Sequence, residues 1–253
     1  MSAGNRLRAK WTAGEATFGM WAAIPSSLTA ELAVGAGCDY VCIDLQHGLS
    51  DETATVSMLS AIAAAGGTAL VRVAWNEPWL IMRALDLGAA GVIVPLVGSA
   101  EEAARAVRAC KYPPDGIRSC GPIRAQLVVG SAAPSELAGA VLCFVMVETA
   151  EGLERVDDIA ATAGLDGIYI GPADLSLGLG LTPGSAVGGR PLEDAIARVL
   201  SACDAAGVIA GMHCAGGAEA HARVEAGFKL VTVGVDASVF RASVERELGR
   251  ARS

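Results

Sequence analysis

The chain has 253 residues, of which 53% are hydrophobic and 18% are charged, and its formal net charge is −8. Such an acidic chain lacks the basic face that non-specific nucleic-acid binding requires. No apolar run reaches the roughly 18 residues of a membrane span, and residues 1–10 lack the apolar stretch of a secretory signal. We therefore predict a soluble, cytoplasmic protein with no nucleic-acid or membrane partner.

The cysteines predict the same compartment. The chain has seven of them, an odd number, and no two form a Cys-x-x-Cys pair. Neither a disulfide framework nor a zinc knuckle is therefore indicated. We interpret them as small buried side chains of a protein in a reducing environment.

Short apolar strands alternate with helical patterns along most of the chain, which is typical of a parallel sheet built from βα units. Strands are predicted at residues 17–24, 40–45, 68–73, 91–97, 141–147, 167–170, 208–212 and 230–233. Helices are predicted from an N-cap at Ser26 or Ser27, at 51–65, at 78–87, from an N-cap at Ser99 to Cys110, at 150–163, at 191–206, and after each of the last two strands. Residues 112–131 and 175–190 are predicted to be long loops. Eight strands with eight helices indicate one (β/α)₈ barrel over residues 1–253, because closure removes the edges of an open sheet.

In such a barrel the active site lies at the C-terminal ends of the strands. Polar residues follow several predicted strands at this end: Asp44, His47, Arg72, Glu148, Asp174, His213 and Asp236. The sequence thus predicts a ring of carboxylates, one arginine and one or two histidines around a single mouth.

Glu148 and Asp174 follow neighbouring strands and could each give one oxygen to a cation. Two carboxylates completed by water and substrate suit Mg²⁺ or Mn²⁺. An ion pair is the alternative for Glu148. For Asp174 the alternative is an N-cap, which the spacing favours equally.

Arg72 points, by alternation along its strand, either into the mouth or into the helix layer. Inside the mouth it would stabilise negative charge that develops on an oxygen, whereas a surface salt bridge would contribute little. His47 lies three residues after Asp44, a spacing that fits a general base oriented by a carboxylate, and His213 is a second candidate.

The lysines exclude one mechanism. Lys10, Lys111 and Lys229 are the only ones, and none is predicted at the mouth. A Schiff base with a carbonyl substrate is therefore not expected, and a metal ion would have to carry the charge of a carbanion.

Five segments, taken together, resemble the HpcH/HpaI aldolase family, the class II pyruvate aldolases typified by hydroxy-oxo-heptanedioate aldolase. Between Phe18 and Phe240 they occur in the family's order: Ile43–Gly48, Val71–Val73, Tyr112–Arg118, Val147–Thr149 and Gly171–Ser176. The resemblance implies a barrel of the phosphoenolpyruvate/pyruvate type, a carbon–carbon lyase, and a divalent Mg²⁺, Mn²⁺ or Co²⁺ ion. It also implies a homo-oligomer, expected as a hexamer built from three dimers.

The resemblance also assigns roles to residues. Glu148 and Asp174 are expected to be the metal ligands, Arg72 to steady the keto oxygen, and His47 with Asp44 to handle the proton of the aldol hydroxyl. The substrate-binding set is Arg72, Gly171, Ala173, Asp174 and His213, with backbone N–H groups near Ala173 holding the substrate carboxylate. Asp86 matches an aspartate that a neighbouring subunit contributes to the site.

The chain departs from the family in two places. Met146 stands where well-studied members have Gln, and the end of strand seven, Met212–Cys214, is more polar than an aliphatic lining. Both departures bear on the choice of substrate rather than on the metal.

The predicted reaction is the reversible cleavage of a 4-hydroxy-2-oxo acid to pyruvate, or a related 2-oxo acid, and an aldehyde through a metal-stabilised enolate. Oxaloacetate decarboxylation, or a specialised carbon–carbon bond formation, would use the same residues and stays open as an alternative. A citrate-lyase-like reaction of a CoA thioester is disfavoured by the lack of a basic patch for the phosphates. An alternative of another class is a barrel that only binds a small acid.

Overall fold

The computed structural model describes residues 2–182 and 190–253, and its centre is a closed barrel of parallel strands. The strands follow one another around the barrel in chain order, and the first pairs with the last. The predicted (β/α)₈ barrel is therefore confirmed. The strands are β1 (Thr17–Ala22), β2 (Tyr40–Asp44), β3 (Ala69–Arg72), β4 (Gly91–Val94), β5 (Leu142–Met146), β6 (Gly167–Ile170), β7 (Ile209–His213) and β8 (Leu230–Val235).

Helices precede β1 and follow each strand. They are α1 (Ala3–Thr12), α2 (Ser27–Gly35), α3 (Glu52–Ala64), α4 (Pro78–Asp86), α5 (Ala100–Cys110), α6 (Ile123–Val129), α7 (Pro134–Gly139), α8 (Ala150–Glu154), α9 (Val156–Ala160), α10 (Pro172–Gly178), α11 (Arg190–Ala206), α12 (Gly217–Ala226) and α13 (Asp236–Arg252). The predicted caps at Ser26 and Ser99 are confirmed, because each hydroxyl accepts a hydrogen bond from the backbone N–H three residues later. Over residues 2–182 and 190–253, no helix has the length and apolar character needed to cross a bilayer.

Three predicted segments differ from the structure. The predicted loop 112–131 contains α6, which is anchored to the end of α4 by a hydrogen bond from Arg124 to the Leu87 carbonyl, a tertiary contact that local patterns do not reveal. The predicted helix 150–163 is two short helices that meet at Arg155. The predicted loop 175–190 begins inside α10, and residues 183–189 lie outside the described part of the chain.

Alternation along the strands separates two cores. On β2, Val41 and Ile43 pack against the surrounding helices, whereas Tyr40 and Cys42 point into the barrel. Successive side chains of a strand point to opposite faces, so the next inward residue of β2 is Asp44. The same alternation turns the last side chains of other strands inward, and it determines which polar side chains reach the mouth of the barrel.

Helix α1 closes the opposite end of the barrel. Its Leu7 and Trp11 belong to the inner core, and the ring of Trp11 lies edge-on against Phe144 with 5.8 Å between centroids. The Trp11 indole N–H donates to the Thr17 hydroxyl at 3.1 Å. The sequence did not predict this helix, because only these two large apolar side chains mark its buried face.

The last helix has a different environment from the others. None of the residues of α13 is buried. Its apolar side chains are exposed instead: Val239, Phe240, Val244 and Leu248. An apolar stripe of this kind on a solvent-facing helix is a common mark of an interaction surface.

Candidate active site

A cavity of about 360 Å³ opens at the C-terminal end of the barrel. Most of the predicted site residues line it, from β2, β3, β6 and β7 or the loops after them: Asp44, His47, Arg72, Gly171, Ala173, Asp174 and His213. Chain segments far apart in sequence are brought together because parallel strands end at the same edge. The position agrees with where barrel enzymes hold their active sites.

Asp44 and Arg72 form a buried ion pair in the wall of this cavity. Their Cα atoms are partners in the β2–β3 register, and both side chains point inward. Arg72 donates from Nε to Asp44 Oδ1 at 2.9 Å and from Nη2 to Oδ2 at 2.6 Å. The side chain of Arg72 is 9% exposed and that of Asp44 is 3% exposed. Arg72 thus points into the mouth, which decides between its two predicted directions.

The charge of Asp44 is fixed by this arrangement. Burial by itself would raise the pKa of the carboxyl, but the hydrogen bonds and charge of Arg72, together with the backbone N–H groups of Gln46 and His47, outweigh it and lower the pKa. Asp44 Oδ1 accepts a hydrogen bond from the backbone N–H of His47 at 3.2 Å, and both carboxylate oxygens accept from Arg72. Among the described residues no hydrogen bond joins the His47 ring to Asp44, because the strand neighbour Arg72 takes the carboxylate. The His47 side chain lies exposed on the rim.

An aromatic floor supports Arg72 from below. Its guanidinium lies over the Trp21 ring, 5.0 Å from the centroid. Trp21 in turn stacks on Tyr169 at 5.5 Å, and the His213 ring meets it edge-on at 5.4 Å. Trp21 and Tyr169 were not among the predicted site residues. The inward parity of β1 and β6 is the signal that could have identified them.

His213 is a half-buried histidine at this floor. Burial lowers the pKa of its imidazole, and the positive charge of Arg72 lowers it further. A neutral imidazole at neutral pH can donate one hydrogen bond and accept another. His213 is therefore suited to binding a polar group on a substrate and is unsuited to holding a positive charge there.

Glu148 lies inward of the end of β5 and is only 2% exposed. Its Oε1 accepts the backbone N–H of Leu96 at 2.8 Å, and its buried Oε2 has no hydrogen-bond partner among the described residues. Burial raises the pKa of this carboxyl to about 7; the Leu96 N–H opposes the rise, and the charge of Asp174 adds to it. A buried oxygen without a partner, in the field of a second carboxylate, is a suitable ligand for a cation.

The end of β6 passes very close to this carboxylate. A Cβ atom placed on Gly171 would lie 2.5 Å from Glu148 Oε2 and 2.9 Å from the terminal methyl group of Met146. A side chain at this position would therefore have to displace the Glu148 carboxylate or the end of the Met146 side chain. Asp174 follows in the first turn of α10, where backbone N–H groups have no partner within the helix.

Two carboxylates are what the chain itself offers a metal ion here. Among the described residues, no group of three or more His, Cys, Asp and Glu side chains is arranged to hold one. Mg²⁺ is commonly held by one or two carboxylates, with water and substrate oxygens completing its octahedron. Glu148 and Asp174 fit such an ion, with most of its ligands supplied from the cavity.

Asp86 lies elsewhere, at the C-terminal end of α4 and away from the mouth of its own barrel. Its carboxylate accepts a hydrogen bond from Arg118 Nη2 at 2.9 Å. Arg118 is 1% exposed and lies over the Tyr112 ring, 4.9 Å from the centroid. Within this chain, Asp86 therefore holds the Tyr112–Arg118 loop against α4.

Comparison with known proteins identifies a family for nearly the whole chain. The family profile of HpcH/HpaI aldolase/citrate lyase matches residues 17–243. The chain belongs to this family. A hydroxypyruvate/pyruvate aldolase of Rhizorhabdus wittichii is 35% identical over 98% of this chain and 99% of its own. A 4-hydroxy-2-oxo-heptane-1,7-dioate aldolase of Klebsiella pneumoniae is 36% identical over 95% and 91%.

The fold of the HpcH/HpaI family is matched just as completely. A crystal structure of a family protein from Burkholderia cenocepacia superposes with a TM-score of 0.91 and 36% identity, covering 99% of this chain and 98% of that one. The predicted family and the predicted class of enzyme, a carbon–carbon lyase, are thereby confirmed.

Proposed function

We propose that this HpcH/HpaI family member reversibly cleaves a 4-hydroxy-2-oxo acid to pyruvate, or a related 2-oxo acid, and an aldehyde, with Mg²⁺, Mn²⁺ or Co²⁺ as cofactor. The observation that carries the proposal is the placement of Arg72, locked by Asp44, in one cavity with Asp174 and beside the buried Glu148. A cation held at the two carboxylates and an arginine nearby can both act on a single substrate oxygen. The names of the relatives support the 2-oxo acid as substrate.

Glu148 and Asp174 would hold the cation, which supplies a Lewis acid for the keto oxygen of the substrate. Arg72 would donate to the same oxygen as it gains negative charge. Among the described residues Asp44 takes the Nε hydrogen and one Nη2 hydrogen, so both hydrogens of Nη1 and the second one of Nη2 remain for the substrate. The backbone N–H groups of Ala173 and Asp174 would receive the substrate carboxylate, close to Gly171.

Cleavage requires a base for the 4-hydroxyl group. As its proton leaves, the C3–C4 bond breaks, the aldehyde C=O forms, and the electron pair passes into the enolate of the 2-oxo acid, which is then protonated at C3. His47 at the rim would take the hydroxyl proton, and the neutral His213 would bind the aldehyde part. His47 would work without a carboxylate partner from Asp44.

Proton exchange at the methyl group of pyruvate tests this proposal most directly. We expect EDTA-treated protein in D₂O to leave the methyl signal unchanged, and added Mg²⁺, Mn²⁺ or Co²⁺ to make it disappear. Enolate formation is then established without knowledge of the aldehyde. The measurement is ¹H NMR over time, and an absence of exchange with every metal would refute pyruvate as the donor.

Replacement of His47 separates aldol cleavage from the alternative, oxaloacetate decarboxylation. Only cleavage has to move a hydroxyl proton, so we expect His47→Ala to reduce kcat for cleavage by about 10²- to 10⁴-fold, the usual contribution of a general base. Decarboxylation by the same variant should change far less. Equal losses in the two assays, measured on one preparation, would instead make His47 a binding residue.

We also propose that the chain assembles into a homo-oligomer, as a hexamer of three dimers in the cytoplasm. The exposed apolar residues of α13 provide a surface that a second copy could cover. All seven cysteines are free, as in proteins of reducing compartments. In such an assembly Asp86 would face the mouth of a neighbouring subunit.

A further inference from the structure

Leu96, two residues after the end of β4, has an unusual backbone conformation. Its φ angle is +54°, and it is the only residue other than glycine with a positive φ in residues 2–182 and 190–253. Side chains with a Cβ atom rarely adopt this left-handed region, and observed cases cluster at functional sites. A leucine held there requires a physical reason.

The hydrogen bonds of residues 95–97 explain this conformation of Leu96. Pro95 has no N–H group to donate, and the N–H of Val97 donates to the Met146 carbonyl at 3.1 Å, which continues the pairing with β5. Between them, the Leu96 N–H is turned out of the ladder and donates to Glu148 Oε1 at 2.8 Å. The left-handed turn thus directs one backbone amide at one carboxylate.

The residues after Leu96 hold this turn in place. Val97 is fully buried, and the Gly98 N–H donates to the Glu102 carboxylate at 2.7 Å. Ser99 caps α5 immediately afterwards. Because both sides of the turn are fixed by packing and hydrogen bonds, the cost of the left-handed conformation is compensated by its surroundings.

We propose that Leu96 is a positioning residue whose backbone, and not its side chain, holds Glu148 in the orientation that a divalent cation requires. The inference rests on the proposed function, since it takes Glu148 as a metal ligand. With Oε1 held by the amide, Oε2 has no hydrogen-bond partner within residues 2–182 and 190–253 and would be available to the cation. Groups that orient a metal ligand in this way set the affinity of the site.

Substitutions that separate backbone from side chain test the proposal. Glycine adopts a positive φ freely, so Leu96→Gly should keep the amide in place although it removes the whole side chain. Leu96→Ile retains the composition and volume of the side chain, but a β-branched residue is strongly disfavoured at positive φ. Leu96→Met, unbranched and of similar size, is the matched control.

The first measurement is the dissociation constant of Mn²⁺, obtained by EPR titration of the metal-stripped full chain. We expect Leu96→Ile to weaken binding by about 10- to 100-fold, as the loss of an orienting partner does. Leu96→Gly and Leu96→Met should stay within about threefold of the parent, as expected for changes that leave every ligand contact intact. Loss of binding in Leu96→Gly equal to that in Leu96→Ile would mean a packing role and would overturn the proposal.

A second measurement does not depend on the metal. In metal-free protein, hydrogen exchange of the Leu96 amide should be slow, and Glu148→Ala or Leu96→Ile should make it faster. If Glu148→Ala left the exchange rate of the Leu96 amide unchanged, the proposed contact would be overturned. If the parent chain bound no Mn²⁺ but the amide responded to Glu148→Ala, the metal site would be refuted while the positioning of the carboxylate stood.

Discussion

Glu148→Gln and Asp174→Asn should each abolish metal-dependent activity while leaving the barrel folded. Either change removes a carboxylate charge from the proposed cation site with almost no change in shape. A Lewis acid on the reacting oxygen contributes several kcal/mol of transition-state stabilisation, so we expect kcat/KM to fall by about 10³-fold or more. Mn²⁺ binding should be lost in parallel, as measured by EPR titration.

Glu151→Gln is the matched control for this pair. Glu151 lies three residues after Glu148, and its exposed carboxylate forms a surface ion pair with Arg155. We expect normal metal binding and normal activity from this control. Full activity in either Glu148→Gln or Asp174→Asn, with the fold verified by circular dichroism, would remove the metal assignment.

Breaking the buried ion pair of Asp44 and Arg72 should strongly reduce the stability of the fold. Asp44→Leu leaves the Arg72 guanidinium buried and unpaired, and we expect the free energy of unfolding to fall by about 3–5 kcal/mol. Replacing both partners, as Asp44→Leu with Arg72→Met, removes the stranded charge and should restore most of the loss. Urea denaturation followed by circular dichroism measures both.

Activity should respond differently from stability in this series. The double variant lacks the arginine that is proposed to steady the keto oxygen, so it should remain inactive although it folds. Asp157→Asn removes the charge from the exposed pair with Arg198 and serves as the control, for which we expect almost no change in the free energy of unfolding. A double variant as unstable as Asp44→Leu would mean that the pair matters for packing and not for charge.

The barrel could be predicted from the sequence because its strands are short apolar runs separated by clear caps and turns. Strand β6 was predicted with its observed limits, Gly167–Ile170. The ends of strands also identified the residues of the mouth, since parallel strands bring them to one edge. Helices α1 and α6 escaped prediction because few of their residues are buried, and tertiary contacts hold them in place.

The partners within the site were harder to predict than its members. Asp44 was paired with His47, three residues along the chain, although its neighbour across the sheet is Arg72. The order and direction of the strands would have given this pair, because adjacent parallel strands place their last inward residues side by side. The contact between the Leu96 amide and Glu148 could not have been predicted, because it depends on a positive φ angle that leucine ordinarily avoids.

The closure of the lower end of the barrel by Leu7 and Trp11 affects the path of substrates. Above these side chains lie Trp21 and Tyr169, so among the described residues the cavity is closed from below and opens at the rim. In the proposed reaction the aldehyde would form near the rim and the 2-oxo acid beneath it. The aldehyde would then leave first, and in the reverse direction the 2-oxo acid would bind first.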